Sequence, residues 1–184
     1  MFLAAVNPLI IIIAAAIALV VVIGAVIGHL NSKMAYDKIE LFCKEQNLTY
    51  RLAENSLHDF EIEGDNYILC VKIADIPKNS SVTINSKDTW CLRFGGHRVG
   101  RSYPNKRYLS ELKSFLAADY TKSLFFENEK GKKVQKVVIL NPSTEKLLKY
   151  INESEIIELT SKDLAYDVKV IQFDKLAEEY KNLL

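Results

Sequence analysis

From Pro8 to Ile27 the chain is an almost unbroken run of aliphatic side chains, and Met1 to Gly28 contains no charged residue. Nothing else in the sequence restricts the possible folds as strongly. A helix rising 1.5 Å per residue crosses the roughly 30 Å hydrocarbon core of a bilayer in about 20 residues. It also satisfies its own backbone hydrogen bonds where water is absent. The run is apolar on every face, without the polar stripe of a helix packed on a soluble core. It is longer than a signal-peptide core and no Lys or Arg precedes it. Asn7 supplies an N-cap and Pro8 a pre-set first helical residue. The sequence thus predicts residues 1–30 as a single transmembrane anchor.

Lys33, Lys38 and Lys44 follow the run. The positive-inside tendency then places the rest of the chain in the cytoplasm of a single-pass protein of the cell membrane. Cys43, Cys70 and Cys91 are odd in number and show no CxxC or other metal-ligand spacing, which reads as reduced thiols. Gly24 and Gly28 form a GxxxG pair within a stripe of small residues, a candidate membrane-packing seam for a second copy or a partner subunit.

Residues 31–184 are the size of one domain. Net charge over the chain is +1, so no global field marks a polyanion binder and any such site must be local. A helix capped at Asn31 or Ser32 is expected to run to about Gln46, with Ala35, Ile39, Phe42 and Cys43 on one face. Strands are expected at LHDFEI, YILCVKI, SVTI, TWCLRF, Val134 to Leu140 and Asp167 to Phe173. Helical spacing predicts helices over Asn105 to Asp119, from Ser143 or Thr144 to Ile151, and from Asp174 to the C-terminus. The order describes an α/β domain, a mixed sheet with helices on its faces.

Glu63-Gly64-Asp65-Asn66 separates the first two strands, with Gly at the first central position of a two-residue loop. Pairing Glu63 with Asn66 sets Asp59 opposite Cys70, and Lys72 shares that face by strand alternation. Glu61 shares it too, one pair nearer the turn.

Asp59 in HDFEI, Lys72 in YILCVKI, Trp90, Pro104-Asn105, VVILNP and VKVIQFDKL occur in the order of the restriction-endonuclease-like fold. The chain resembles that fold, and within it the nuclease-related (NERD) domains. The resemblance implies a face carrying two carboxylates and a lysine around Mg²⁺, which activates water beside a scissile phosphate. Asp59, Glu61 and Lys72 are then the candidate catalytic residues. Cys70 stands where the family carries an acid, and a thiol is a poor Mg²⁺ ligand. No cofactor is implied unless that centre works with a displaced acid, in which case it is Mg²⁺.

Four of the five arginines fall in one segment, and between Asp88 and Glu111 the cations Arg93, Arg98, Arg101, Lys106 and Arg107 meet no acid. Gly95, Gly96 and Gly100 admit close backbone approach to an anion, and Phe94, Tyr103 and Tyr108 offer planes for stacking. The segment reads as a binding patch for nucleic acid or anionic lipid, or as a solvated loop. His58 and His97 lack metal spacing, and no phosphate-binding loop, dinucleotide fingerprint or nucleophile elbow occurs. The leading expectation is a nuclease-like module that binds an anionic partner or a protein complex without cleaving. An active metal-dependent nuclease and a structural subunit assembled through the N-terminal helix are the alternatives.

Overall fold

The computed structural model describes residues 8–53, 57–95, 104–120, 131–152 and 154–184; in the first helix the side chains of 8–12, 14 and 25–32 fall outside that description. Two compact units divide the chain, Met1–Leu41 and Phe42–Leu184.

Helix α1, Pro8–Glu45, is one element of 38 residues that passes Asn31 and Ser32 without a break. An intact ladder there satisfies the backbone donors that a cap would otherwise serve. The anchor expected from the sequence is corrected here. Among the described residues no helix is long and apolar enough to cross a membrane. Further along, α1 carries Lys33, Asp37, Lys38 and Glu40. The single-pass topology and the membrane localisation built on that anchor are withdrawn with it.

The second unit holds two sheets where one was expected. Strands β1 (Thr49–Leu52), β2 (Phe60–Glu63), β3 (Tyr67–Asp75), β7 (Lys133–Asn141), β10 (Leu164–Ala165) and β11 (Val168–Gln172) form a six-stranded sheet in the order β1-β2-β3-β7-β11-β10. Its centre is parallel, with β7 between β3 and β11, and its edges are antiparallel. Strands β4 (Ser80–Ser86), β5 (Thr89–Phe94), β6 (Asn105–Tyr108), β8 (Lys146–Asn152) and β9 (Glu155–Glu158) form a five-stranded sheet in the order β6-β5-β4-β8-β9.

One core joins the sheets. Cys70, Ala74, Val138, Leu140 and Val170 meet Val82, Ile84, Trp90, Leu92 and Leu147, together with Leu109, Leu112, Phe115, Leu116 and Tyr120. Strand alternation sends Leu69, Val71, Val137 and Ile139 to the other side of the six-stranded sheet, where they are buried as well. Central parallel strands covered on both faces read as near-continuous apolar runs, as VVIL and, apart from Lys72, YILCVKIA do.

Two expected helices are not formed as such. Asn105–Tyr108 is strand β6, and the helical pattern resumes only as a 3₁₀ turn at Ser110–Leu112 and a short helix α2 at Lys113–Ala117. Gly95 at φ 85° begins the turn that brings β6 back alongside β5, a conformation open to glycine at little cost. Lys146–Asn152 is strand β8, although Leu147, Tyr150 and Ile151 also fit a helical stripe. Pairing with both β4 and β9 outweighs that stripe, and Tyr and Ile favour strands. The C-terminal segment is helical in short pieces, with α3 at Leu176–Glu179 between 3₁₀ turns. Asp174 meets Ser143 there and does not cap the helix.

Candidate functional site

The β2–β3 hairpin closes two residues later than the two-residue loop places it, with Glu63 opposite Ile68 and the Gly64 N–H bonded to the Tyr67 carbonyl at 3.1 Å. A slip by two keeps every side chain on its face but changes its partner. Glu61 therefore lies opposite Cys70. Asp59 moves up against Lys72, whose Nζ donates to Asp59 Oδ1 at 2.6 Å, and the Ile73 N–H donates to Oδ2 at 2.7 Å.

Along the strands of this hairpin the charged side chains engage one another. Glu61 is buried, with His58 Nε2 3.2 Å from its Oε1 and Arg51 Nη2 2.9 Å from its Oε2. His58 Nδ1 lies 3.4 Å from the Tyr120 hydroxyl. Across Cys70 on the β7 side is Lys136, itself only 5 % exposed. Its Nζ donates to the carbonyls of Leu116 at 2.8 Å and Ala118 at 3.1 Å, and lies 2.7 Å from Asp167 Oδ2. A cation thus meets the carbonyl end of α2, where the helix dipole favours positive charge. Burial first, then the Glu61 charge, pushes the Cys70 thiol up to about 12, with Lys136 acting against both. Burial raises the Tyr120 phenol as well, helped by Cys70 and Glu61.

This donor set does not fit the Mg²⁺ that the family resemblance implies. Both oxygens of Asp59 and both of Glu61 are taken by cationic or N–H donors, and the intervening position is a buried thiol. Among the described residues no group of three or more His, Cys, Asp or Glu is placed to hold a metal ion. The three candidate catalytic residues Asp59, Glu61 and Lys72 share one face and serve as internal partners there.

A different arrangement occupies the outward face of the five-stranded sheet. The inward residues of β4 and β5 are Val82, Ile84, Trp90 and Leu92, so Ser81, Thr83, Cys91 and Arg93 point away from the core. Register continues the pattern sideways. Lys106 pairs with Arg93, Arg93 with Ser81, and Ser81 with Lys146, one row over four neighbouring strands with three cations in it. The next row is Tyr108, Cys91, Thr83, Leu148 and Glu158. Tyr150 and Ile156 form a pair in the row after that.

A groove of about 440 Å³ lies along this face, bounded by Ser81, Thr83, Arg93, Lys106, Lys146 and Tyr150 among others. Arg93, Lys106 and Lys146 are exposed. Among the described residues Arg93 and Lys146 make no ion pair, and Lys106 Nζ sits 5.3 Å from the centre of the Tyr108 ring. Among the described residues Glu158 is an acid of this face, on the edge strand β9 and outside the cation row.

The sequence-predicted basic patch divides accordingly. Arg93 and Lys106 face the groove, while Arg107 pairs with Leu92 and points the other way, donating to Glu111 Oε1 at 3.1 Å and to the Asp75 carbonyl at 3.2 Å. Arg98 and Arg101 lie outside the described residues, in the β5–β6 connection. Lys146 was not in the predicted set because KLLKYIN read as a helix; strand alternation across Leu147 is the signal that places it beside Ser81. Gly24 lies on α1 with no atom within 4 Å of a built Cβ, and the surroundings of Gly28 lie outside the described residues.

Fold and site together define an α/β domain of two sheets, one with a polar cluster locked against the core and one with a cationic outer face. Compared with known proteins, the chain matches no family model, no curated protein and no solved structure.

Proposed function

We propose that this protein is a non-catalytic binding module for an anionic partner, and that it binds through the outward face of the five-stranded sheet. The observation that carries the reading is the row Lys106, Arg93, Ser81, Lys146. Like charges directly opposite on neighbouring strands destabilise a sheet, by about 0.2–1 kcal/mol on the usual scale of cross-strand pairs. A facing Arg–Lys pair without an acid in its row is a standing cost that a bound anion relieves. Ser81 and Thr83, both buried, form the polar floor of the groove between the cations.

Competing use of the hairpin as a hydrolytic centre is not favoured, because its acids are already satisfied by Lys72, Arg51 and His58. The test is titration of the full chain with inorganic polyphosphate. Binding is expected, falling with salt, and expected to be lost in Arg93→Glu/Lys146→Glu with the fold retained by circular dichroism. Equal binding by that variant, or none by the native chain, removes the reading.

A further inference from the structure

The outward face carries more than charge. Tyr150, 36 % exposed, lines the groove, and Tyr108, 52 % exposed, stands beside it on the edge strand β6. Three strand spacings and one residue pair along the strands separate them, about 16 Å at 4.8 Å per strand and 6.7 Å per pair. The cation row, about 14 Å from Lys106 to Lys146, runs alongside both, one row from Tyr108 and two rows from Tyr150 on the same side. We infer that the anionic partner is a single-stranded nucleic acid lying across the strands, its phosphates along the Lys106–Arg93–Lys146 row and its bases stacked on Tyr108 and Tyr150. This rests on the anion-binding reading above and deepens it.

The face favours that ligand over other anions. Planar aromatic groups beside a cationic track match a polyanion whose repeating unit also carries a π-face, and stacking there is indifferent to sequence. A compact anion such as a lone phosphate would use one cation and leave both tyrosines bare. A duplex fits poorly as well. Five strands at about 4.8 Å make a face about 19 Å across, wider than a major groove of about 12 Å, and paired bases are not free to stack on side chains. Lys106 beside the Tyr108 ring strengthens that end, since a cation next to the aromatic plane binds a phosphate while the ring takes a base. Glu158 stands in the row beyond the cations, which holds the phosphates to the Ser81 row.

Magnitudes follow from the same groups. Three neutralised phosphates give a slope of log affinity against log salt of about −2 for a single strand. Affinity then falls about twentyfold between 50 and 200 mM salt. Loss of one stacking tyrosine weakens binding by about five- to 150-fold.

The experiment uses the full chain and five probes in fluorescence anisotropy or competition: an oligothymidine of about twelve nucleotides, within the usual size of such sites, an abasic strand of equal length, a blunt duplex, inorganic polyphosphate and vesicles rich in phosphatidylserine. The single strand is expected to bind tightest, and Tyr108→Ala and Tyr150→Ala each to weaken it while leaving polyphosphate binding unchanged. Lys146→Gln is expected to reduce the salt slope by about 0.7. Equal affinity for the abasic strand, or stronger binding of duplex or vesicles, overturns the nucleic-acid inference while anion binding stands. Failure of polyphosphate and every other probe overturns both.

Discussion

Lys106→Glu is the sharpest perturbation of the cation row, because it bears on stability and on binding with opposite sign. Lys106 and Arg93 are directly paired across β5 and β6. Facing side chains there have Cβ atoms about 5 Å apart, and two unit charges at that distance repel by about 0.8 kcal/mol in bulk water. The heads can splay into solvent, so about 0.5 kcal/mol is the expected penalty. Lys146 lies two strand spacings from Arg93, about 10 Å, close to the Debye length at 0.1 M salt, and adds little. The ammonium of Lys106 also gains from the Tyr108 ring, about 0.5 kcal/mol at an exposed site.

Lys106→Gln removes the repulsion and the ring contact together and is expected to be neutral. Lys106→Glu adds an attraction to Arg93 and is expected to exceed the Gln variant by about 0.3–1 kcal/mol, or about 1–3 °C in Tm for a chain of this size. Thermal unfolding of the three proteins in 20 mM and 1 M salt reads the effect, and polyphosphate titration reads its cost. In 1 M salt the Debye length is about 3 Å and the gain is expected to vanish. A Glu variant less stable than the Gln variant, or a gain unaffected by salt, would falsify the account of an electrostatically strained row.

Two further outcomes concern the interior. Lys136→Met keeps the side-chain stem to Cε but leaves the Leu116 and Ala118 carbonyls without their donor and Asp167 without its nearer cation, so urea unfolding is expected to show a loss of about 2–4 kcal/mol. A loss under about 1 kcal/mol would mean that the ammonium does not fasten the segment around α2 to the sheet. Burial alone would raise the Asp167 carboxyl, but the hydrogen bond and charge of Lys136, with help from Lys87, hold it below the ordinary range. Its stabilising contribution is therefore complete above the unfolded value of about 3.9 and is lost as pH falls through the lower folded value. Asp167→Asn is expected to flatten the acid limb of the stability profile, and superimposable profiles for the two proteins would refute the coupling.

Periodicity resolved the strands that are buried on both faces and misread those that are not. VVIL is apolar at every position and YILCVKIA at every position but Lys72, which suits a central parallel strand, and both were legible. β6 and β8 are different, since β6 is exposed throughout and supplies only Tyr108 to the helical pattern, while β8 is mostly exposed and its Leu147, Tyr150 and Ile151 also fit a 3.6-residue repeat. Only the neighbouring strands decide such segments, and neighbours are a property of the fold. The two-residue error in the hairpin has the same origin. It left Asp59, Glu61, Cys70 and Lys72 on the correct face, because parity survives a slip of two, but it exchanged their partners. That exchange converts an imagined open pair of carboxylates into two closed ones, Asp59 with Lys72 and Glu61 with His58 and Arg51. The cationic face was half legible for a related reason. Arg93 and Lys106 stood out in a basic segment, whereas Lys146, forty residues further on, joins them only through the parallel pairing of β4 with β8. A site assembled across strands distant in sequence has no local signature. Its evidence is the register, which is why the row and its two flanking tyrosines, more than any motif, carry the function proposed for this chain.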